Sequence, residues 1–221
     1  MLPQCHTTVQ DPKRKEEDKY KYMRYTGPKD RLSRREGFDL FGKGAKLTRL
    51  NVTPGQHGPK GQMRQASQFG RQLREKQKVK RMYGLTEKQF KKYINLAFKT
   101  KGNTSLSLFK SLESRLDNVV YRLKFADTRP QARQLVSHRH ILVNGKKLNI
   151  ASYQVKVKDT ISLDEKAAKI PNVKKLIEDK AVEVPDWLKR KGGAGIILRV
   201  PTRDEVKEEI NEQDIIEYYS R

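Results

Sequence analysis

The side chains able to do chemistry in this sequence are mostly cations, and they fall in three sets. Arg24, Lys29, Arg34, Arg35 and His57 stand in a Gly- and Pro-rich stretch, and Arg71, Arg74, Lys76, Lys78 and Arg81 follow at helical spacing. Arg115, Arg122, Arg133, Gln134, Ser137, His138 and Lys146 form the third set. Cations at this density suit phosphates: guanidinium groups bind them bidentately, and each neutralised phosphate releases counterions. Catalysis has little to draw on. The four histidines, His6, His57, His138 and His140, show no metal or triad spacing, and Asp117-Asn118 is a common helical dipeptide. The one cysteine, Cys5, excludes an internal disulfide framework and a cysteine-rich zinc site. No catalytic residue, cofactor or metal is assigned, and the protein reads as a binder rather than an enzyme.

The charge balance names the class of partner. Of 221 residues, 49 are Lys or Arg against 26 Asp or Glu, a formal net charge of +23, and only 35% are hydrophobic. That is the signature of a protein that meets a polyanion. The excess sits in residues 24–111, with 22 basic against 5 acidic side chains, whereas residues 180–221 carry 8 against 9. The first stretch therefore faces the partner, and the tail is expected to pack on protein. No run approaches the roughly 20 apolar residues of a membrane span, and residues 1–23 lack the apolar core of a secretory signal. A soluble, unexported chain with no membrane partner is expected.

The elements that must position these cations follow from pattern. Residues 24–62 show little apolar periodicity and read as an arm with few regular elements, ordered only against its partner. A basic helix is expected over 66–83, stopped by Gly84, and Thr86 with Gln89 caps a second helix carrying Phe90, Ile94 and Ala97. Leu108, Leu112, Leu116, Val119, Val120 and Leu123 give the strongest helix signal, on which Arg115 and Arg122 lie two turns apart. Arg115, two residues before Asp117, has two open roles, an RNA contact or a bridge to that carboxylate. Thr128 and Pro130 start a short helix whose polar face holds Arg133, Gln134, Ser137 and His138. Asn144-Gly145 marks a hairpin, with further strands at 155–157 and 160–163. Beyond Pro171 a helix is expected, broken by the glycines at 192–195 before a strand over 196–200, and Thr202 with Glu205 opens a last helix. Trp187 reads as a core plug joining the tail to the helical domain.

The run from Leu112-Glu113-Ser114-Arg115 through Thr128-Arg129-Pro130-Gln131 to His138, followed by Val143-Asn144-Gly145-Lys146, resembles the RNA-binding module named after ribosomal protein S-four. Flanking motifs extend the likeness to the bacterial type of the whole small-subunit family. They are Arg24-Tyr25-Thr26-Gly27-Pro28-Lys29, Ser33-Arg34-Arg35-Glu36-Gly37, Pro54-Gly55-Gln56-His57-Gly58, the run from Gln72 to Lys78, and Ile210-Asn211-Glu212 with Tyr219-Ser220-Arg221. The resemblance implies an α+β fold: a mostly helical domain formed by N-terminal and C-terminal segments, plus a small RNA-binding module of helices on a short antiparallel sheet. The expected parts are an extension of unknown role over 1–23, the arm over 24–62, a helical domain over 63–111 with 180–221 packing on it, and the module over 112–179. Some family members carry zinc-binding cysteines near this Ser33-to-Gly37 motif, but Asp30 and Ser33 stand where the first pair would lie. Residues 1–22 precede the matched motifs and read as a lineage-specific tail or an upstream start, since Met23 stands directly before Arg24.

The resemblance implies a structural protein of the small ribosomal subunit that binds a helix junction in the 5′ domain of its RNA early in assembly. It also implies contact with the fifth small-subunit protein and other neighbours, a place near the channel by which messenger RNA enters, and a contribution to decoding accuracy. The setting is the cytoplasm, with an organellar bacterial-type ribosome also compatible. Two other classes share the electrostatics: an RNA-modifying enzyme using the module as its handle, and an RNA chaperone. The first needs a separate catalytic fold, for which the residues outside the module leave no alternating apolar sheet, and the flanking motifs speak against the second.

Overall fold

Helices with apolar residues at helical spacing and one antiparallel sheet make up the computed structural model, which describes residues 25, 27–56, 58, 67–179, 183–203, 205 and 210–220. Arg24, His57 and the 1–23 extension lie outside the described residues. In chain order come α1 (Lys29–Glu36), a 3-10 turn (Gly44–Lys46), α2 (Gln68–Met82), α3 (Glu87–Lys99), α4 (Thr104–Glu113), α5 (Leu116–Arg122) and α6 (Arg129–Ser137). Then follow β1 (Ile141–Val143), β2 (Lys146–Leu148), β3 (Thr160–Leu163), α7 (Glu165–Ala168), α8 (Pro171–Glu178), β4 (Leu188–Lys191), β5 (Ala194–Ile197) and α9 (Glu212–Ser220). The fold is α+β, with one antiparallel sheet in the order β2-β1-β3-β5-β4.

Two cores divide the chain. In the helical half, Val79 from α2, Phe90 and Ile94 from α3, Leu108 and Leu112 from α4, and Ile215 from α9 close on one another. The Thr86 hydroxyl accepts from the Gln89 N–H while Gln89 accepts from the Thr86 N–H, completing the expected capping box. In the module, Leu116, Val119, Val120 and Leu123 of α5 pack with Leu135 and Val136 of α6 against Ile141, Ile161 and Trp187. Asn144 and Gly145 take positive φ values of 50° and 79°, the requirement of the two-residue turn that pairs Val143 with Lys146.

Several expectations need correction. The described residues of the stretch 24–62, which are 25, 27–56 and 58, are more ordered than its composition predicts: α1 forms, Leu40 is buried, and Phe38 and Phe41 pack on the helical core. Side-chain bonds to backbone supply what periodicity does not, since Asp39 accepts from the N–H groups of Phe41 and Gly44, and Arg34 donates to the carbonyls of Val52 and Thr53. The apolar repeat from Leu108 to Leu123 is two helices. Arg115 is extended between them, the Leu116 N–H donates to Tyr153 O and the Val155 N–H to Ser114 O, so the 153–155 segment replaces helical partners. Residues 155–157 accordingly form no strand, and only an isolated bridge joins Arg115 to Gln154.

The tail divides rather than packing whole on the helical half. Gly192 and Gly193 turn a hairpin between β4 and β5 instead of breaking a helix, and Trp187, Leu188 and Ile197 enter the module core. The Lys189-Arg190-Lys191 run hides the strand because Arg190 is spent internally, donating to the carbonyls of Leu123, Lys124 and Leu176 across the sheet. Thr202 does donate to Glu205, but α9 begins only at Glu212, where Arg203 holds both the Glu212 carboxylate and the Ile210 carbonyl. Among the described residues of the tail, Ile210, Ile215 and Tyr219 join the helical core.

Ile215→Ala should therefore cost about 2–5 kcal/mol. Deletion of 202–221 should lower the unfolding midpoint further. Urea denaturation followed by circular dichroism measures both, and an unchanged midpoint would show that α9 is dispensable to the helical half.

Candidate nucleic-acid interface

The two halves meet at two buried carboxylates. Glu113, at the end of α4, accepts from Arg122 at both oxygens, 3.0 Å each, from Asn118 Nδ2 at 2.8 Å, and from the Tyr83 hydroxyl of the helical half at 2.5 Å. Burial, the largest influence on Glu113, would raise its pKa, but the Arg122 guanidinium, with Arg129 and Tyr83, outweighs it and holds the carboxyl below the usual carboxylate range. Asp117 receives Arg115 bidentately, Nε at 3.0 Å and Nη2 at 2.7 Å, and Arg133 at 3.3 Å. Arg115 then donates to the Tyr93 hydroxyl of α3 at 2.8 Å. Glu113, of the helical half, is thus held by Arg122 of the module, and Asp117, of the module, is held by Arg115 and Arg133 and tied through Arg115 to Tyr93 of the helical half.

A groove of about 890 Å³ opens beside this joint. One wall is α1 with Tyr25 before it, the second is the end of α2 and the turn into α3, and the third is α6. Its floor includes Leu32, Met82 and Leu85, and its rim carries Lys29, Lys80, Arg81 and Arg133. Arg129 stands over the rings of Tyr83 at 5.0 Å and Tyr121 at 4.6 Å, and its Nε donates to Asn118 Oδ1 at 3.0 Å, linking groove to joint.

The expected site residues separate into two groups. Lys29, Arg81, Arg133, Gln134, Ser137 and His138 come together around the groove. Arg35 and Arg71 are exposed on α1 and α2, Arg74 is half-buried against Glu36 at 3.4 Å, and Lys146 is exposed on β2. The second group is turned inward. Arg115 is 1% exposed, which decides between its two open roles in favour of the bridge to Asp117. The Arg122 side chain is 11% exposed and spent on Glu113, and Arg34 fastens the 52–53 backbone. Lys76 is buried between Glu87 and the Tyr218 ring, and Lys78 lies between Glu75 and the Phe38 ring. A cation on a helix can serve either purpose; what the sequence conceals is which carboxylate or ring another element brings to it. Arg129 is not among the expected site residues, because its aromatic partners Tyr83 and Tyr121 are distant from one another in sequence.

Residues 24–113 match the ribosomal protein S4/S9 N-terminal domain, and residues 114–161 match the S4 domain. The small ribosomal subunit protein uS4 of Polaromonas sp. strain JS666 is 50% identical over 206 residues, which cover 90% of this chain and 99% of that protein. The uS4 proteins of Delftia acidovorans, at 50%, and Stenotrophomonas maltophilia, at 49%, match over the same shares. The chain belongs to the S4 family of small-subunit ribosomal proteins. Members of the S4 family are structural ribosomal proteins, so the chain is not an enzyme. The border between the two matched regions falls at Glu113-Ser114, on the joint itself. Among the described residues no cluster of three metal-ligating side chains occurs, and no helix is long and apolar enough to cross a membrane.

Breaking the joint should be costly. Glu113→Gln leaves Arg122 buried beside a neutral amide and should destabilise by about 3–5 kcal/mol. Tyr83→Phe and Tyr93→Phe, each removing one bond to a charged group, should cost about 1–3 kcal/mol. Denaturant unfolding checks all three, and neutral outcomes would mean that the halves are held by apolar contact alone.

Acid should also loosen the helical half. Burial would raise the Glu87 pKa, but bonds from Lys76, Tyr219 and Lys80 lower it to about 2 from an ordinary 4.5. A lowered folded-state pKa contributes stability above pH 4.5 that is lost as pH falls toward about 2. The unfolding midpoint should drop across that window, and Glu87→Gln should flatten the drop; an identical slope in the variant would assign it to other carboxylates.

Proposed function

We propose that the protein binds small-subunit ribosomal RNA directly at a junction of helices in the 5′ domain, early in subunit assembly, and holds those helices in one arrangement. The observation that carries this reading is the cation-rimmed groove between the two halves, whose walls the Glu113 and Asp117 networks fix relative to one another. A folded junction is recognised largely by shape through phosphate and 2′-OH contacts, which a rigid concave basic surface matches. The contact residues are Lys29, Arg35, Arg71, Arg74 and Arg81 from the helical half and Arg133, Gln134, Ser137, His138 and Lys146 from the module. Arg24 and His57 are carried from the sequence motifs, and Arg34, Lys76, Lys78, Arg115 and Arg122 act by maintaining the surface.

Membership of the S4 family extends the reading to a place in the small subunit beside the fifth small-subunit protein, near incoming messenger RNA, with an influence on decoding accuracy. An RNA chaperone shares the same electrostatics. Sedimentation of cell extract separates the two, since a ribosomal protein comigrates stoichiometrically with small subunits and a chaperone leaves a free pool.

With about 6 to 10 phosphates neutralised, affinity for a 5′-domain transcript should fall about 10³- to 10⁵-fold between 50 and 200 mM salt. Lys29→Ala, Arg35→Ala and Arg71→Ala, each removing an exposed cation, should each reduce the salt slope by about one and weaken binding uniformly across RNA variants. Filter binding over a salt series measures this, and a flat response would refute electrostatic recognition.

A further inference from the structure

Tyr25 is the most exposed aromatic among the described residues, 51% exposed, and it lies on the groove wall formed by the segment before α1. Its exposure is not that of a loose side chain. The hydroxyl donates to the Pro28 carbonyl at 3.2 Å. One edge of the ring lies against Gly27 so closely that a Cβ there would stand 2.8 Å from ring atoms. The glycine is therefore required by the ring's position, which these two contacts within residues 25–28 hold.

The surroundings fit one occupant. The other exposed aromatics have neighbours or lie elsewhere: Phe69 stands 5.6 Å from the Tyr218 ring, and Phe98 is on α3 away from the groove lining. Beside Tyr25 the groove has an apolar floor at Leu32 and Met82, the exposed cation Lys29, and Arg81, which is paired with Glu36. Cations alone would serve a phosphate backbone. A held ring with an open face among cations serves a nucleotide, taking the base by stacking while its phosphates meet the rim. The groove volume of about 890 Å³ is within the range of sites that enclose small molecules.

Resting on the ribosomal-RNA reading above, we infer that Tyr25 is a stacking platform for one unpaired base of the bound RNA, and that Gly27 and the Pro28 carbonyl preset its ring. Stacking needs no base-specific hydrogen bond, so the site selects a nucleotide free of its own helix rather than a particular base. It adds a recognition of unpaired residues to a surface that otherwise reads shape and charge.

The test uses the full chain and a 5′-domain transcript, with affinity measured over a salt series and circular dichroism as fold control. Tyr25→Ala should lose from about fivefold to about a hundredfold in affinity at every salt concentration with the salt slope unchanged, because no charge is removed. Tyr25→Phe should stay within about threefold of the natural protein, and Gly27→Ala, which displaces the ring but removes no aromatic or charged group, should fall toward Tyr25→Ala. Unchanged affinity of Tyr25→Ala alongside salt-dependent binding by the natural protein would overturn the stacking site alone and assign the ring to a protein neighbour. A loss accompanied by a smaller slope would also overturn it, by showing that the variant disturbs cation contacts. Absence of salt-dependent binding by the natural protein would instead sink the ribosomal-RNA reading, and the stacking site with it.

Discussion

Two carboxylates taken out of water between two packed halves impose the condition on which the rest of the structure depends. Burying a charge costs several kcal/mol unless geometry and hydrogen bonding compensate. Glu113 is compensated by Tyr83 of its own half and Asp117 by Arg115 and Arg133 of the module, and only a correct approach of the two halves supplies Arg122 to Glu113 and Tyr93 to Arg115. Apolar contact is non-directional and would tolerate a range of angles between the halves. Bidentate guanidinium–carboxylate bonds tolerate few. The angle between α2 and α6, and hence the groove, is set by these bonds.

The same logic governs the distribution of charge. Residues 24–111 contain only five carboxylates, Asp30, Glu36, Asp39, Glu75 and Glu87, and each has a structural task. Asp30 meets Lys43, Glu36 meets Arg74 and Arg81, Asp39 binds two backbone N–H groups, Glu75 meets Lys78, and Glu87 meets Lys76 and Lys80. Glu36 shows how tightly these acids are held: burial pushes its pKa up despite Arg81 and Arg74, and its second oxygen is buried with no hydrogen-bond partner among the described residues. The 22 cations in the same stretch outnumber those five carboxylates more than fourfold, an excess that suits an anionic partner.

How much of this was legible in the sequence depends on whether the deciding contact is local. The caps at Thr86 and Thr128, the Asn144-Gly145 hairpin and the α+β division rest on neighbours within a few residues, and they could be read directly. The break at Arg115 could not, because the apolar repeat runs through it and the groups that replace the lost helical bonds come from Ser114, Tyr153 and Val155 across the fold. The assignment of cations failed for the same reason: Arg133 and Arg122 look alike in the chain, and only the position of Glu113 makes one internal. The Gly192-Gly193 turn was hidden because a Lys-Arg-Lys run resembles solvent-exposed helix until Arg190 is seen bonded to the carbonyls of Gly192, Leu123, Lys124 and Leu176.

The path of the chain adds a topological argument to the energetic one. It leaves the helical core after Leu112, builds the module core from Leu116 through Ile197, and returns to the helical core at Ile210. The joint is therefore crossed twice, once at Glu113-Ser114 and once between β5 and α9, so the module is tethered at both its ends. A single covalent crossing would leave rotation about the linker opposed only by the ion pairs; two crossings on either side of the contact remove most of that freedom before any ion pair forms. β4 and β5 lie beyond the 114–161 region matched by the S4 domain, and by extending the sheet they carry the chain from the module back toward the helical half. The tail's near-neutral charge is consistent with that duty, since its carboxylates at Glu205, Glu212 and Glu217 are bonded to Arg199, Arg203 and Gln72 within the protein. A basic groove of fixed shape requires halves that do not turn, and the return of the tail joins the ion pairs in holding them.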